Sequence, residues 1–211
     1  MSEPTSPSPL DAVLKEALAH HHAGRLQEAQ RLYQQILQQA PQHFDALHMM
    51  GVLALTAGQP EPAARLLSQA TRIHASSPDA WYNFGLALDG AGKRADAIAA
   101  YEAAIRLHPR HAKAFNNKSK SERESGMTEA SLASATSALA IDPGYIEAQL
   151  NRSMALLKLG RFAEGLPLYE ARWHSRANPA RAREIDKPLW KGDVALDSRT
   201  ILVHEIGRAH V

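Results

Sequence analysis

The sequence predicts an all-α fold in which antiparallel helix pairs repeat along the chain. Glycines recur at a constant interval of 34 residues, and helical stripes of apolar residues flank them. An interval of this length is typical of proteins in which one supersecondary unit is repeated. The five glycines are Gly24, Gly58, Gly92, Gly126 and Gly160.

The third unit shows why the repeated element is a pair of helices. Its first segment places Trp81, Phe84 and Leu88 on one helical stripe. Gly92 stands where this helix must end, because glycine readily adopts the left-handed conformation of a helix C-terminus. A second apolar stripe follows and ends before a proline, which prevents the helix from continuing. The residues of this stripe and the proline are Ala97, Tyr101, Ala104 and Pro109.

Five such units account for most of the chain. Each helix has an apolar face that only a neighbouring helix can cover, so the units are expected to stack. They cover residues 10–43, 44–77, 78–111, 112–145 and 146–179. The polar, proline-rich residues 1–9 before them are predicted to be a disordered leader.

One set of residues identifies the type of repeat. The third unit carries Trp81, Phe84, Gly85, Ala97, Tyr101, Ala104 and Pro109. With these residues the unit resembles the tetratricopeptide repeat, and the resemblance extends over residues 10–179. It implies a right-handed superhelical solenoid whose concave groove binds a partner protein or an extended peptide. Because such arrays mostly bind proteins, the resemblance also implies a scaffold that is not an enzyme.

Asparagine occupies the sixth residue of units three, four and five, at Asn83, Asn117 and Asn151. Stacking of the units predicts that these side chains form a row on the inner surface. An amide can both donate and accept, so the row could pair with the backbone of a bound peptide. The row is similar to the asparagine ladder of O-linked N-acetylglucosamine transferases, which implies binding of extended polypeptide. The alternative is that these asparagines only bond to local backbone; units one and two carry Lys15 and Met49 instead.

The first helix of the fourth unit adds a polar and basic cluster. Such a cluster could bind a carboxylate or an acidic peptide. It is partly similar to the carboxylate clamp of chaperone-binding repeats, although the residues of that clamp are spread over several units. The alternative is an ordinary solvated helix face. The members of the cluster are Lys113, Asn116, Asn117, Lys120 and Arg123.

The fourth unit also departs from the apolar pattern of the others. Glu122 and Ser125 stand where the fifth unit has leucines, and Ala135 replaces the tyrosine of units one, three and five. Less apolar area would be buried, at about 25 cal/mol per Å². We therefore expect this unit to be the least well packed and the least protected from hydrogen exchange.

Several classes of site are not predicted. The absence of cysteine excludes disulfides and thiolate chemistry. Side chains of the consecutive His20, His21 and His22 would point about 100° apart on a helix, so they cannot share one ion. We predict no catalytic residue, no metal site and no cofactor. The net charge of +2 gives no indication of a nucleic-acid partner. No signal peptide or membrane span is recognisable, so a cytoplasmic location is predicted.

Three segments near the C-terminus suggest a second resemblance. They are YEARW at 169–173, PLWKG at 188–192 and TILVH at 200–204. Together they resemble the junction at which bacterial proteins with these repeats continue into a glycosyltransferase-like domain. The resemblance implies a connector at 180–199 and the start of a truncated α/β domain at 200–205. It offers an alternative function, the substrate-recruiting N-terminal part of a glycosyltransferase whose catalytic domain is missing.

The last six residues, 206–211, have the sequence IGRAHV. One back-translation of this segment and the preceding residue resembles a widely used sequencing adapter. We expect these six residues to be derived from an adapter, and they carry no functional prediction.

Overall fold

The computed structural model describes residues 9–173. Over these residues the chain forms ten α-helices and a short 3₁₀ helix, Glu170–Trp173. Consecutive helices pack against each other along the whole series, which confirms the predicted all-α array of helix pairs. The helices are α1 (Pro9–His22), α2 (Leu26–Gln39), α3 (Phe44–Thr56), α4 (Pro60–Ile73), α5 (Pro78–Gly90), α6 (Arg94–Leu107), α7 (Ala112–Glu124), α8 (Thr128–Ile141), α9 (Ile146–Lys158) and α10 (Phe162–Tyr169).

The helices begin at equivalent places in successive units. A residue's position is counted within its 34-residue unit, so that Phe44, Pro78, Ala112 and Ile146 stand at position 1. Each of these residues is also the first residue of a helix, namely of α3, α5, α7 and α9. The first helix, α1, includes Pro9, which was predicted to belong to the leader; the rest of the predicted leader, 1–8, lies outside the described residues.

The residue before position 1 caps three of these helices. The side chain of Ser77 accepts a hydrogen bond from the backbone N–H of Ala80 at 3.2 Å. The Nδ1 atom of His111 accepts from the N–H of Ala114 at 3.3 Å, and His43 makes the equivalent bond before α3. A side-chain acceptor at this place satisfies one of the N–H groups that a helix leaves free at its start.

The predicted glycine terminators lie in the left-handed region. After α5, Gly92 has a φ of 74°, and the other four glycines of the period have φ between 68° and 81°. The N–H of Lys93 donates to the carbonyl of Leu88 at 2.8 Å, and the N–H of Gly92 donates to Asp89 at 3.0 Å. These are the two bonds of a Schellman motif, so the prediction for Gly92 is confirmed.

The two helices of a unit approach each other at positions 8 and 24. In unit three, a Cβ atom added to Gly85 would lie 2.5 Å from the ring of Tyr101. In unit two, a Cβ atom on Gly51 would lie 2.5 Å from Leu67. Tyr101 and Leu67 are fully buried. The large side chain at position 24 therefore lies directly against the backbone of the glycine at position 8.

Unit four fills the same contact in a different way. Its residues at positions 8 and 24 are Ser119 and Ala135, and both are fully buried. The hydroxyl of Ser119 donates to the backbone carbonyl of Ser131 at 2.8 Å. The serine side chain thus occupies space that Gly51 and Gly85 leave open in units two and three. Ala135 is therefore matched by the serine of the facing helix.

An ion-pair network that contains one buried carboxylate replaces apolar packing at position 11 of unit four. Glu122 is only 2% exposed, and its Oε1 atom lies 3.4 Å from Nζ of Lys118. The same Nζ atom lies 2.9 Å from Glu102 on α6. Burial disfavours the charged ammonium, but the bonds to Glu102 and Glu122 outweigh this effect and raise the pKa of Lys118. Ser125, by contrast, is exposed at the end of α7. The low hydrogen-exchange protection expected of this unit stays a prediction.

The remaining predictions for the C-terminal part fall outside the described residues. These are the connector at 180–199, the strand at 200–205 and the tail at 206–211. Of the three segments that suggested a transferase junction, only the first is described: α10 ends at Tyr169, and the 3₁₀ helix follows it.

Candidate functional site

The first helices of the units form the inner face of the array. Helix α3 contacts α5, α5 contacts α7, and α7 contacts α9, as expected on the side of a curved array where helices lie closest. On α5 the buried residues stand at positions 3, 8, 10 and 11. Successive helical residues turn by about 100°, so positions 2, 5, 6, 9 and 13 lie on the opposite side. Together, these five positions of the first helices are called the inner groove.

The structure places the predicted asparagine row in the inner groove, at position 6 of α5, α7 and α9. The side chains are not equally accessible. Asn83 and Asn117 are half-buried, whereas Asn151 is buried with 8% of its surface exposed. Of the three, only Asn83 and Asn117 can therefore present an amide to a ligand without rearrangement.

Each asparagine of the row bonds to position 5 of the preceding unit. The pairs are Asn83 Nδ2 with His48 Nε2 at 2.8 Å, Asn117 Nδ2 with Tyr82 Oη at 3.1 Å, and Asn151 Nδ2 with Asn116 Oδ1 at 2.9 Å. The amide hydrogens thus link first helices of neighbouring units through side chains, rather than only capping local backbone. These position-5 partners were not predicted from the sequence, although they also recur at an interval of 34 residues.

The charge state of His48, the partner of Asn83, depends on its burial and on nearby carboxylates. Burial lowers the pKa of His48, against the opposing influence of the carboxylates of Asp79 and Asp45. A neutral imidazole can accept a hydrogen bond from the Asn83 amide at Nε2. Asp45 and Asp79 are exposed residues at position 2. Neither aspartate was predicted as a site residue, although the two stand one period apart at equivalent positions.

The predicted basic cluster of unit four is only partly open to a ligand. Lys113 and Lys120 are exposed. Asn116 is 5% exposed and donates to Asn117 at 3.2 Å, besides accepting from the fifth unit. Arg123 is half-buried, and its guanidinium lies 3.6 Å from Glu124. The structure therefore brings Lys113, Lys120 and Asn117 to the groove surface and withdraws Asn116.

A stability measurement can separate the structural role of the row from a role in binding. Asn151→Ala is expected to lower the free energy of unfolding by about 1–3 kcal/mol, because the buried oxygen of Asn116 loses its donor. Asn83→Ala is the matched control and should cost less, since its partner His48 is only half-buried. Urea denaturation measures both values. Equal losses for the two variants would contradict the difference in burial.

Two kinds of feature are absent from the part of the chain that the structure describes. No helix among residues 9–173 is both long and apolar enough to cross a membrane. Within the same range, no group of three or more histidine, aspartate or glutamate side chains is arranged to hold a metal ion.

Family models match two adjacent stretches of the chain. Both models describe the tetratricopeptide repeat; one matches residues 13–83 and the other residues 82–146. Together the two matches cover more than half of the chain. No curated protein is significantly similar to it in sequence.

Solved structures with the same fold are numerous. A crystal structure of MamA has a TM-score of 0.69 and 21% identity, covering 79% of this chain and 93% of that one. MamA from Desulfovibrio magneticus RS-1 has a TM-score of 0.71 and 14% identity, covering 81% and 99%. YrrB, described as a TPR protein with an unusual peptide-binding site, has a TM-score of 0.68 and 17% identity, covering 75% and 82%. At these identities the similarity shows the fold.

Proposed function

Because the chain belongs to the tetratricopeptide repeat family, we propose that it is a binding scaffold whose inner groove holds an extended peptide or a segment of a partner protein. The observation that carries the proposal is the continuous row of first helices. It presents equivalent positions from unit to unit, with half-buried amides at Asn83 and Asn117 and exposed ammonium groups at Lys113 and Lys120. The peptide-binding site described for YrrB supports the proposal by analogy.

The groove suits an extended backbone. Peptide N–H and C=O groups repeat along an extended chain, and an asparagine amide offers both a donor and an acceptor. At Asn83 and Asn117 one amide hydrogen is used within the protein, which leaves the second hydrogen and an oxygen lone pair for a ligand. Under this proposal the chain binds and positions its partner but does not catalyse a reaction. The proposed location is the cytoplasm.

A displayed library of random peptides of about 12 residues tests the function, since such a peptide reaches across about four units at ~3.3 Å per residue. Binders are expected to slow hydrogen exchange in α3, α5 and α7 more than in α4, α6 and α8. Asn83→Ala combined with Asn117→Ala should weaken binding by about thirtyfold, from about 1 kcal/mol for each of two lost bonds.

The control for this experiment is Gln69→Ala, an exposed residue on α4, which should leave affinity unchanged. Protection confined to the second helices, or failure of the library to yield any binder, would refute the proposal. A third outcome is protection of the first helices from hydrogen exchange together with unchanged affinity of the double variant. It would support the groove as the binding site and show that the asparagines do not contribute to binding.

The transferase alternative stays a separate proposal. Neither family-model match extends beyond residue 146, and the three segments that suggest a transferase lie between 169 and 204. Under this alternative the array would recruit the acceptor protein. The genomic sequence downstream of the codon for His204 tests it, since a continuing frame with a glycine-rich loop is expected.

A further inference from the structure

Charged residues of the inner groove change sign between units three and four. Position 2 is Asp45 in unit two, Asp79 in unit three and Lys113 in unit four, and all three residues are exposed. Position 9 is apolar in units two and three but is Lys120 in unit four, with 50% of its side chain exposed. The groove therefore has an acidic part followed by a basic part.

These charges are available to a ligand. Asp45, Asp79 and Lys113 form no ion pair with any residue between 9 and 173. Lys120 has one partner, Asp89, but the two charged atoms are 3.9 Å apart. Asp89 is 11% exposed, but half of the Lys120 side chain is open to solvent and the separation is long, so the pair contributes little and Lys120 can exchange it for another anion.

The acidic and basic parts meet in one depression of the surface. Asp79 and Lys113 both line it, together with the rings of His111 and Tyr145. Two further charged residues that line it, Arg110 and Asp142, are of opposite sign, so together they do not change the net charge of the depression. A chain that follows the groove through this depression passes from a negative to a positive environment.

We propose that the groove selects a peptide segment of bipolar charge, with a lysine or arginine over units two and three and a carboxylate over unit four. This inference rests on the proposed function and names its ligand class. Either Asp79 or Asp45 would hold the cationic side chain. Lys113 and Lys120 would hold the carboxylate, which accepts charge-assisted hydrogen bonds from ammonium groups.

The repeat sets the separation of the two charges. Packed helices lie about 8–10 Å apart, so equivalent positions in neighbouring units are separated by about 10 Å. An extended peptide advances ~3.3 Å per residue. The carboxylate should therefore lie about three residues from a cation at Asp79, or about six residues from one at Asp45.

Other charges limit the basic part to unit four. Glu124 lies 3.0 Å from Arg94 and 3.6 Å from Arg123, so these two arginines are already partly neutralised. Position 2 of unit five is Glu147, which is exposed. Acidic residues thus flank the basic part on both sides, and the groove has room for one anionic group there.

The binders selected from the random library test this inference through fluorescence anisotropy. They should carry a basic and an acidic residue about three to six residues apart. The double variant Asp45→Asn with Asp79→Asn should bind a bipolar peptide about tenfold or more weakly than the wild type does. The same double variant should bind with unchanged affinity a peptide whose basic residue has been replaced by glutamine. Lys113→Gln with Lys120→Gln should give the corresponding result for the acidic residue. Arg65→Gln, an exposed site on α4, is the matched control and should change nothing.

The outcomes distinguish this inference from the proposed function. Binders that protect the first helices but lack the charge pattern would overturn the bipolar ligand and leave the groove intact. Equal losses of affinity for charged and glutamine-substituted peptides would also overturn the inference. The substitutions in the protein would then act by disturbing its fold and not by removing a contact with the ligand. A library without binders would refute both proposals.

Discussion

Lys118→Met is expected to lower the free energy of unfolding by about 3–5 kcal/mol, because it leaves the carboxylate of Glu122 buried without a counter-charge. The side chain of Glu122 is 3% exposed, and its Oε2 atom has no hydrogen-bond partner among the described residues. Its Oε1 atom lies 3.4 Å from Nζ of Lys118, which is the only cation paired with it there. Urea denaturation followed by circular dichroism measures the loss.

Two further variants show whether an uncompensated charge is the cause. Lys118→Met combined with Glu122→Leu should recover most of the stability, since other units place apolar residues at these positions, such as Phe84 and Leu88. Glu102→Gln should cost less than about 1 kcal/mol, because Glu102 is 46% exposed. Lys118→Met within about 1 kcal/mol of the wild type would mean that Glu122 is not isolated from water.

The pH dependence of this loss has a definite sign. The pKa of Lys118 is raised above its ordinary value of 10.5 in the folded protein. Its contribution is therefore complete below pH 10.5 and is lost as the pH rises through the folded-state pKa. The stability difference between the wild type and Lys118→Met should shrink above that pH.

Tyr101→Ala is expected to lower the free energy of unfolding by about 3–5 kcal/mol, because it empties the contact between α5 and α6. Tyr101 is fully buried, and its ring lies on the backbone of Gly85. The glycine has no side chain that could fill the space. Thermal and urea denaturation of the purified variant measure the loss.

Two single variants serve as controls, the first for the hydroxyl of Tyr101 and the second for the space at Gly85. The Tyr101 hydroxyl is buried and has no hydrogen-bond partner among the described residues, and burial raises its pKa. Tyr101→Phe should therefore leave stability unchanged or increase it. Gly85→Ser alone should cost about 1–3 kcal/mol through overpacking.

The combination Gly85→Ser with Tyr101→Ala imitates unit four, where Ser119 faces Ala135. Its cost should be smaller than the sum of the single costs by about 1 kcal/mol or more, since the serine enters the space that the tyrosine leaves. Additive costs would mean that positions 8 and 24 do not compensate each other.

The sequence predicted the repeated helix pairs because their signals are local. Gly92 ends its helix through its own backbone conformation, and Pro109 acts on the residues next to it. Apolar stripes such as Trp81, Phe84 and Leu88 follow from the helical period alone. Because these signals recur every 34 residues, one interpretation explained most of the chain.

The candidate site was predictable only in outline. Equivalent positions must lie on one face, so the row of Asn83, Asn117 and Asn151 was found from its spacing. Its partners were not found, since each bond joins residues 35 apart whose contact depends on how two units are rotated against each other. The stacked structure is also needed to show that Asn151 is buried while Asn83 is only half-buried.

The sequence by itself therefore determined the type of repeat, the helix ends and the face that carries the candidate site residues. Only the tertiary structure decided which side chains on that face are free. From the sequence Glu122 is a loss of apolar packing, but in the structure the ammonium of Lys118 lies 3.4 Å from its carboxylate and is also held by Glu102 on α6. Side chains far apart in the chain satisfy each other's charge and hydrogen bonds, and a periodic pattern contains no information about such pairs until the units are stacked.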